Sequence, residues 1–271
     1  MRRETRALGW LDRLLLRNIA FPLVSRAMRL TGTRFYQYHA AQDLLVAFHG
    51  LTGRNLHSFE GQPPRISWLD QLGRLPIDGG IVLDVGGFYG YTAALFAGRA
   101  AQVLVFEPAP ANIRLIEEQT RIRRLTNVEI VPVAVSDRPG EALFHLKDIP
   151  AHHSLGDIGA SATSATVAVQ TLTLDAFAAS RNIENIALLK IDVEGFEPEV
   201  LNGAAALLGE RRIANILFEW SPRFYRQRAL EPDLPLTILR DHGYRVTRPD
   251  GTDFVFAPDD DQQRDLLAVP G

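Results

Sequence analysis

The feature that most constrains this chain is a series of short apolar runs that do not alternate with polar residues, most of them leading into a helix-forming stretch. Residues 81–85 (Ile-Val-Leu-Asp-Val), 103–107 (Val-Leu-Val-Phe-Glu), 128–135, 186–193 and 216–220 (Ile-Leu-Phe-Glu-Trp) read as strands. A strand with one wet face alternates apolar and polar residues, whereas a parallel strand covered by helices on both faces is apolar throughout. Helices are expected just after Gly90, over 111–123 and over 198–208. The pattern predicts an α/β fold with a Rossmann-like, mostly parallel, doubly wound sheet.

The end of the chain breaks this rhythm. A helix near 236–242 leads to a strand at 244–248, the turn Pro249-Asp250-Gly251-Thr252, and a further apolar stretch at 253–257. An Asp-Gly pair between two such runs is a strong hairpin signal, so the sheet is expected to finish on an antiparallel hairpin strand. Before residue 78 the reading is different again. Helical periodicity runs around 8–30 and 38–48, and a loop rich in Gly, Pro and polar residues spans 50–65 before a short helix near Trp68. The chain therefore divides, on this reading, into an N-terminal helical extension (1–77) and a main domain (78–271). The segment 156–168, rich in Ala, Ser, Thr and Gly, reads as a mobile loop.

Composition narrows the function classes. A net charge of -3 carries no global signature of nucleic-acid binding. The absence of cysteine excludes disulfides, thiolate metal sites and a cysteine nucleophile. No apolar span approaches transmembrane length and no signal peptide is read, so a cytoplasmic location is expected. Residues 1–34 hold eight arginines against only Glu4 and Asp12. An amphipathic helix with solvated arginines is the plain reading of that excess, and peripheral membrane contact is the alternative. Nothing in the sequence sets an oligomeric state.

Three groups of residues carry the chemistry. Asp84-Val85-Gly86-Gly87-Phe88-Tyr89-Gly90 joins a strand to a helix, with glycine where the backbone must approach a ligand or take positive φ. Its G-x-x-x-G spacing lacks the middle glycine of the dinucleotide fingerprint, and an acid before the turn suits a cationic amino group better than a pyrophosphate. Glu107 ends the next strand 23 residues after Asp84, close to the spacing at which an acid accepts ribose hydroxyls in this architecture. Lys190-Ile191-Asp192-Val193-Glu194-Gly195-Phe196-Glu197 ends the fourth strand, where open α/β sheets bind ligands. Lys190 and Asp192 project to one side, roughly 7 Å apart. A lysine within an apolar strand needs a charged partner, and Asp192 and Glu219 are the candidates. Glu197 before Pro198 marks a helix start. Asp192 and Glu219 are also oxygen ligands suited to Mg²⁺, but the Lys190 ammonium competes for them, so Mg²⁺ stays open and is not predicted.

These motifs resemble the FkbM-type methyltransferases. The resemblance rests on Asp84 to Gly90, Phe106-Glu107-Pro108, Ala134-Val135-Ser136-Asp137, Thr173-Leu174-Asp175 and Lys190 to Glu197, followed by Val200-Leu201-Asn202-Gly203-Ala204. It spans about 78–220. It implies S-adenosylmethionine as cofactor and O-methylation of a sugar, glycan or small natural-product hydroxyl, and the antiparallel ending of the sheet is shared with methyltransferases. By that resemblance the cofactor falls to Asp84, Gly86, Gly87, Gly90, Glu107, Ala134, Ser136 and Asp192, with Ala134 and Ser136 near the adenine. The catalytic candidates are Asp192, Lys190 and one of His152 and His153, whose loop lies on the acceptor side. A histidine suits proton removal because its ordinary pKa lies near 6.5. Two other classes stay open at this point. One is a nicotinamide-dependent oxidoreductase, disfavoured by the glycine spacing and the lack of a Tyr-x-x-x-Lys pair. The other is a non-catalytic cofactor-binding scaffold.

Overall fold

The structure is a computed structural model that describes residues 35–39, 44–48, 75–147, 152–159 and 163–271. The chain forms two units, Met1–Arg65 and Ile66–Gly271. In the first unit, β1 (Phe35–His39) and β2 (Leu44–Phe48) pair antiparallel, with Phe35 opposite Phe48 and His39 opposite Leu44. The helix expected over 38–48 is thus corrected to part of a hairpin. Its run Leu-Leu-Val-Ala-Phe is too short and too uniformly apolar to separate the two periodicities, and the aromatic Phe35, Tyr36 and Tyr38 favour a strand. The helix expected over 8–30, the loop at 50–65 and the helix near Trp68 lie outside the described residues.

The second unit is built as expected around a largely parallel sheet. Its strands are β3 (Ile81–Val85), β4 (Gln102–Phe106), β5 (Val128–Val131), β9 (Leu188–Ile191), β10 (Ile216–Trp220), β11 (Tyr244–Thr247) and β12 (Arg264–Pro270), in the order β11-β12-β10-β9-β3-β4-β5. The pairs among β5, β4, β3, β9 and β10 are parallel, and β12 runs antiparallel between β10 and β11. Successive side chains of a strand face opposite ways, and here both faces are packed. Leu83, Leu104, Leu189 and Phe218 join one core cluster with Leu201, Leu208 and Leu239. Val82, Val103, Leu188 and Leu217 join another with Ala93, Phe96 and Ile116. That double burial is why the runs do not alternate. After β3 the chain builds β4 and β5 on one side, then returns to lay β9 on the other, so the crevice opens at the C-terminal ends of β3 and β9.

Four helices flank this crevice: α1 (Tyr91–Ala97), α2 (Pro110–Arg123), α4 (Glu197–Asn202) and α6 (Pro222–Gln227), while α7 (Leu234–Asp241) leads to β11. The helix expected over 198–208 is two pieces, α4 and α5 (Ala205–Gly209), which part at Ala204 (φ −114°), where the Gly203 carbonyl turns to accept the Asp175 N–H at 2.9 Å. The short α5 is held by a distant carboxylate. Asp175, in α3 (Leu174–Ser180), accepts the N–H groups of Ala206 and Leu207 at 2.9 and 3.0 Å. Asp175→Ala is expected to cost about 1–2 kcal/mol, as a lost helix cap does. The measurement is the denaturant midpoint at constant slope, and an unmoved midpoint would mean those N–H groups find water at no cost.

Three further expectations change. The strand read over 128–135 breaks at Pro132, and β6 (Ala134–Val135) joins a separate three-stranded sheet with β7 (Gly140–Lys147) and β8 (Thr163–Leu172) in the order β6-β8-β7. Residues 163–168, read as mobile loop, are the first part of β8; their Thr, Ser and Ala side chains leave few apolar positions for a periodic signal. The hairpin after β11 closes only its turn, with Arg248 N–H on Thr252 C=O at 2.8 Å and a single bridge between Thr247 and Asp253. Phe254 and Phe256 instead place their rings 5.1 and 5.8 Å from that of Trp220, and the antiparallel partner of β11 is β12.

Candidate active site

The turn after β3 is shaped by contacts that only glycine permits. Gly86 has φ +82°, and a Cβ there would lie 1.8 Å from the Asp192 carbonyl oxygen; one on Gly87 would lie 2.1 Å from Val105 Cγ1. The turn is thus pressed against the ends of both β9 and β4. Phe88 sits in the left-handed region, φ +48°, and its N–H donates to Glu107 Oε2 at 2.9 Å.

Glu107 is 4% exposed. Its other oxygen, Oε1, accepts the Ala109 N–H at 2.8 Å, and Asn112 also donates to the carboxylate. Burial pushes its pKa up to about 7, against the pull of these donors. A carboxylate has about four acceptor positions, so capacity remains toward the cleft it borders. That cleft, about 280 Å³, runs past Gly86, Glu107 and Asn112 between the apolar Phe106, Ala134 and Phe144, and ends at Asp192, Glu194 and Glu219.

Asp84 and Lys190 lie beneath the cleft and do not border it. Asp84 is fully buried; Thr92 Oγ1 donates to its Oδ2 at 2.5 Å, and Lys190 Nζ is 3.4 Å from its Oδ1. Lys190 Nζ also donates to the Gly86 carbonyl at 3.0 Å and lies 3.4 Å from Asp192 Oδ2. Desolvation lowers the lysine pKa, but Asp192 and Asp84 outweigh it and hold the ammonium above its ordinary range. Lys190 ties the glycine turn to the end of β9, beneath the cleft and not along it.

The loop after β9 is held from within. Glu197, fully buried at the start of α4, turns its carboxylate back to accept the N–H groups of Val193 and Gly195, both at 3.2 Å, and the Tyr225 hydroxyl at 2.9 Å. The sequence marks it as a helix start, and it is also the residue that shapes the loop. This fixes Glu194, at φ +55°, so that carboxylate oxygens of Asp192, Glu194 and Glu219 all lie within 4.8 Å of one another. Burial, followed by mutual repulsion with Asp192, raises Glu194 and Glu219 well above the usual carboxylate range. Glu194 thus joins the Asp192–Glu219 pair as a possible oxygen donor set, with the Lys190 ammonium beside it.

Both histidines lie on one loop, and a backbone hydrogen bond fixes the ring of His153. Their loop is anchored by paired backbone bonds between His145 and Ser154, 2.8 and 3.3 Å. His153 Nδ1 accepts the Lys147 N–H at 2.9 Å. The proton of the neutral ring is then on Nε2, which makes His153 a donor toward the cleft and not a base. Burial, then His152 and Lys147, lower its pKa to about 4. His152 also borders the cleft, with its pKa lowered by burial and then Lys147. Among the other residues picked out from sequence, Ala134 borders the cleft, whereas Gly87, Gly90 and Ser136 do not. Gly90 caps α1, and Ser136 bonds Asp137 and the Leu172 carbonyl. Asn112 was missed because a lone asparagine inside a helix carries no pattern.

Residues 84–246 match the Methyltransferase FkbM domain family. The 2-O-methyltransferase NoeI of Sinorhizobium fredii (strain NBRC 101917 / NGR234) is 27% identical over 177 residues, 59% of this chain and 70% of that protein. The crystal structure of Methyltransferase FkbM from Methylobacillus flagellatus KT shares the fold with a TM-score of 0.51 at 16% identity, covering 79% of this chain. The chain spans about half, 50%, of that structure's length.

Proposed function

This chain belongs to the FkbM methyltransferase family, and from that premise we propose that it is an S-adenosylmethionine-dependent O-methyltransferase acting on a hydroxyl of a sugar, glycan or small natural product. The observation that carries the reading is the buried Glu107 carboxylate at the cleft, fixed by the Phe88 and Ala109 N–H groups beside a glycine turn with no room for a side chain. The oxygen acceptor draws support from the relative named as a 2-O-methyltransferase.

The residues present fit the cofactor. Glu107 and Asn112 offer an acceptor and an amide to a ribose diol, and Ala134 and Phe144 wall an apolar slot suited to a flat base. At the acidic end of the cleft, Asp192 favours the cationic end of such a ligand, with Glu194 and Glu219 beside it as further oxygen acceptors. S-adenosylmethionine, when bound, supplies a methyl group activated on a sulfonium for in-line displacement by an oxygen. His152 is unprotonated at neutral pH and takes the hydroxyl proton of the acceptor. His153 donates from Nε2 and orients the acceptor, and Lys190 holds Asp192 and Gly86 in place.

His152→Ala is therefore expected to lower turnover by about 10²–10⁴-fold, the range for loss of a general base, with S-adenosylhomocysteine affinity unchanged. His153→Ala should cost less. The assay is transfer of tritiated methyl to a polar small-molecule extract. Equal losses at both positions would remove the distinction drawn from the tautomer, and failure of S-adenosylhomocysteine to bind at millimolar concentration would sink the whole reading.

A further inference from the structure

The loop between β7 and β8 carries His152 and His153, and one residue holds it with both its backbone and its side chain. We propose that Lys147, at the end of β7, is a positioning residue for methyl transfer: its ammonium clasps Asp157 and Thr163 across the neck of that loop and so sets the two histidines at the cleft. The proposal draws on the methyltransferase reading above only for the task given to the histidines.

The clasp is a closed triangle. Lys147 Nζ donates to Asp157 Oδ1 at 2.5 Å and to Thr163 Oγ1 at 3.0 Å, and the Thr163 hydroxyl donates to the same Asp157 oxygen at 2.5 Å. Thr163 opens β8, and the register between β7 and β8 shifts between Leu146 and Lys147. A shift of this kind re-aims a side chain. The Lys147 side chain is fully buried, whereas that of Asp157 is 66% exposed. A buried ammonium without a partner is costly, so the charge of Lys147 draws Asp157, and the loop with it, back onto the ribbon. An apolar side chain would fill the same place without that cost. What the ammonium adds is a fixed link between two segments of chain.

Both histidines lie on the part that this link fixes. The Lys147 N–H donates to His153 Nδ1 at 2.9 Å, and the His153 ring stands edge-on to Phe144 with centroids 6.2 Å apart. Ser154 pairs with His145 through the backbone, and its hydroxyl donates to the Gly156 carbonyl at 2.8 Å. Gly156 lies hard against Phe196, where a Cβ would come within 2.8 Å of Phe196 Cζ. Phe196 borders the cleft and is itself covered by Arg228, whose Cζ is 3.8 Å from the ring centroid. The loop is thus wedged between the clasp at its neck and a ring of the cleft wall, and loosening the clasp lets the histidines leave the cleft. Burial comes first in lowering the pKa of both rings, and the Lys147 charge adds to it.

The test compares the full chain with its Asp157→Ala, Asp157→Glu and Lys147→Met variants, by amide hydrogen exchange and by transfer of tritiated methyl to a polar small-molecule extract. The exposed Asp157 position keeps the test decisive if Lys147→Met fails to fold. In Asp157→Ala, exchange of the Lys147 and Ser154 amides is expected to quicken about tenfold or more. Its kcat should fall about tenfold, as misplacement of a reacting group does, with the KM for S-adenosylmethionine unchanged. Asp157→Glu, which keeps the carboxylate, should recover most of both losses. Unchanged exchange in Asp157→Ala, faster exchange with kcat intact, or a glutamate variant no better than alanine would overturn the proposal. Failure of S-adenosylhomocysteine to bind the unsubstituted chain, measured by calorimetry, would count against the cofactor reading instead, and the exchange comparison would still decide whether the clasp holds the loop.

Discussion

Replacing Glu107 with glutamine is expected to weaken S-adenosylhomocysteine binding by about 100-fold or more. Hydrogen bonds to a charged group are worth about 1.5–3 kcal/mol each, so even one ribose hydroxyl lost from the carboxylate reaches that range when the second is also weakened. The amide brings a further penalty. The carboxylate accepts the Phe88 N–H on one oxygen and the Ala109 N–H on the other. A glutamine must turn its NH₂ toward one of these donors, which loosens the turn that shapes the cleft. Calorimetric titration of both proteins measures the ratio, and affinities within about threefold of each other would contradict the role given to Glu107.

The same residue predicts a pH dependence. Burial moves its pKa from an ordinary 4.5 up to about 7. The ionised carboxylate is the better acceptor for a diol, so wild-type affinity should rise between about pH 6 and pH 8 while the glutamine variant stays flat. Folding stability runs the other way. A carboxyl whose pKa is raised on folding contributes stability that is fully present below the unfolded value and lost as pH rises through the folded one. Glu197, also raised to about 7 mainly by burial, adds to that trend. Ligand affinity and unliganded stability should therefore change in opposite directions across this window.

The second large effect is at Lys190. Lys190→Met is expected to destabilise the protein by about 3–5 kcal/mol, because removing one partner strands a buried charge. Asp84 would keep its Thr92 hydroxyl and lose the ammonium 3.4 Å away. Adding Asp84→Asn to the lysine substitution should recover much of the loss, since a neutral amide has no charge to strand. The readout is the denaturant midpoint of the two single variants and the double variant. If Lys190 were a catalytic base, the single substitution would abolish turnover with the midpoint in place, and the double variant would rescue nothing.

Much of the sheet was legible because strands buried on both faces have their own signature, and β3, β4, β9 and β10 carry it. The strand β12 was not, since Arg264 and Asp265 open it, Pro270 closes it, and a more strand-like stretch at Phe254 and Phe256 stood nearer to the turn. Those two rings are spent on Trp220. The site divides in a similar way. Acids at the ends of β3, β4 and β9 could be found by position, and the structure brings Glu107 and Asp192 to one cleft. Position alone could not show that Asp84 points under the turn toward Lys190, because that depends on the partners Thr92 and Lys190 that close around it from α1 and β9. Nor could it separate His152 from His153. That distinction rests on one backbone N–H, contributed by Lys147 on a ribbon whose strands the composition of 156–168 concealed.

The central claim is that the cofactor lies in the cleft between the glycine turn and Glu107, with its reactive end toward Asp192 and His152. A crystal structure of the chain with S-adenosylhomocysteine tests it most directly. The account predicts the ribose hydroxyls on Glu107, the adenine beside Ala134, and the sulfur at the end of the cleft nearest Asp192. Density for the ligand elsewhere, or in the cleft with its ribose away from Glu107, would contradict it.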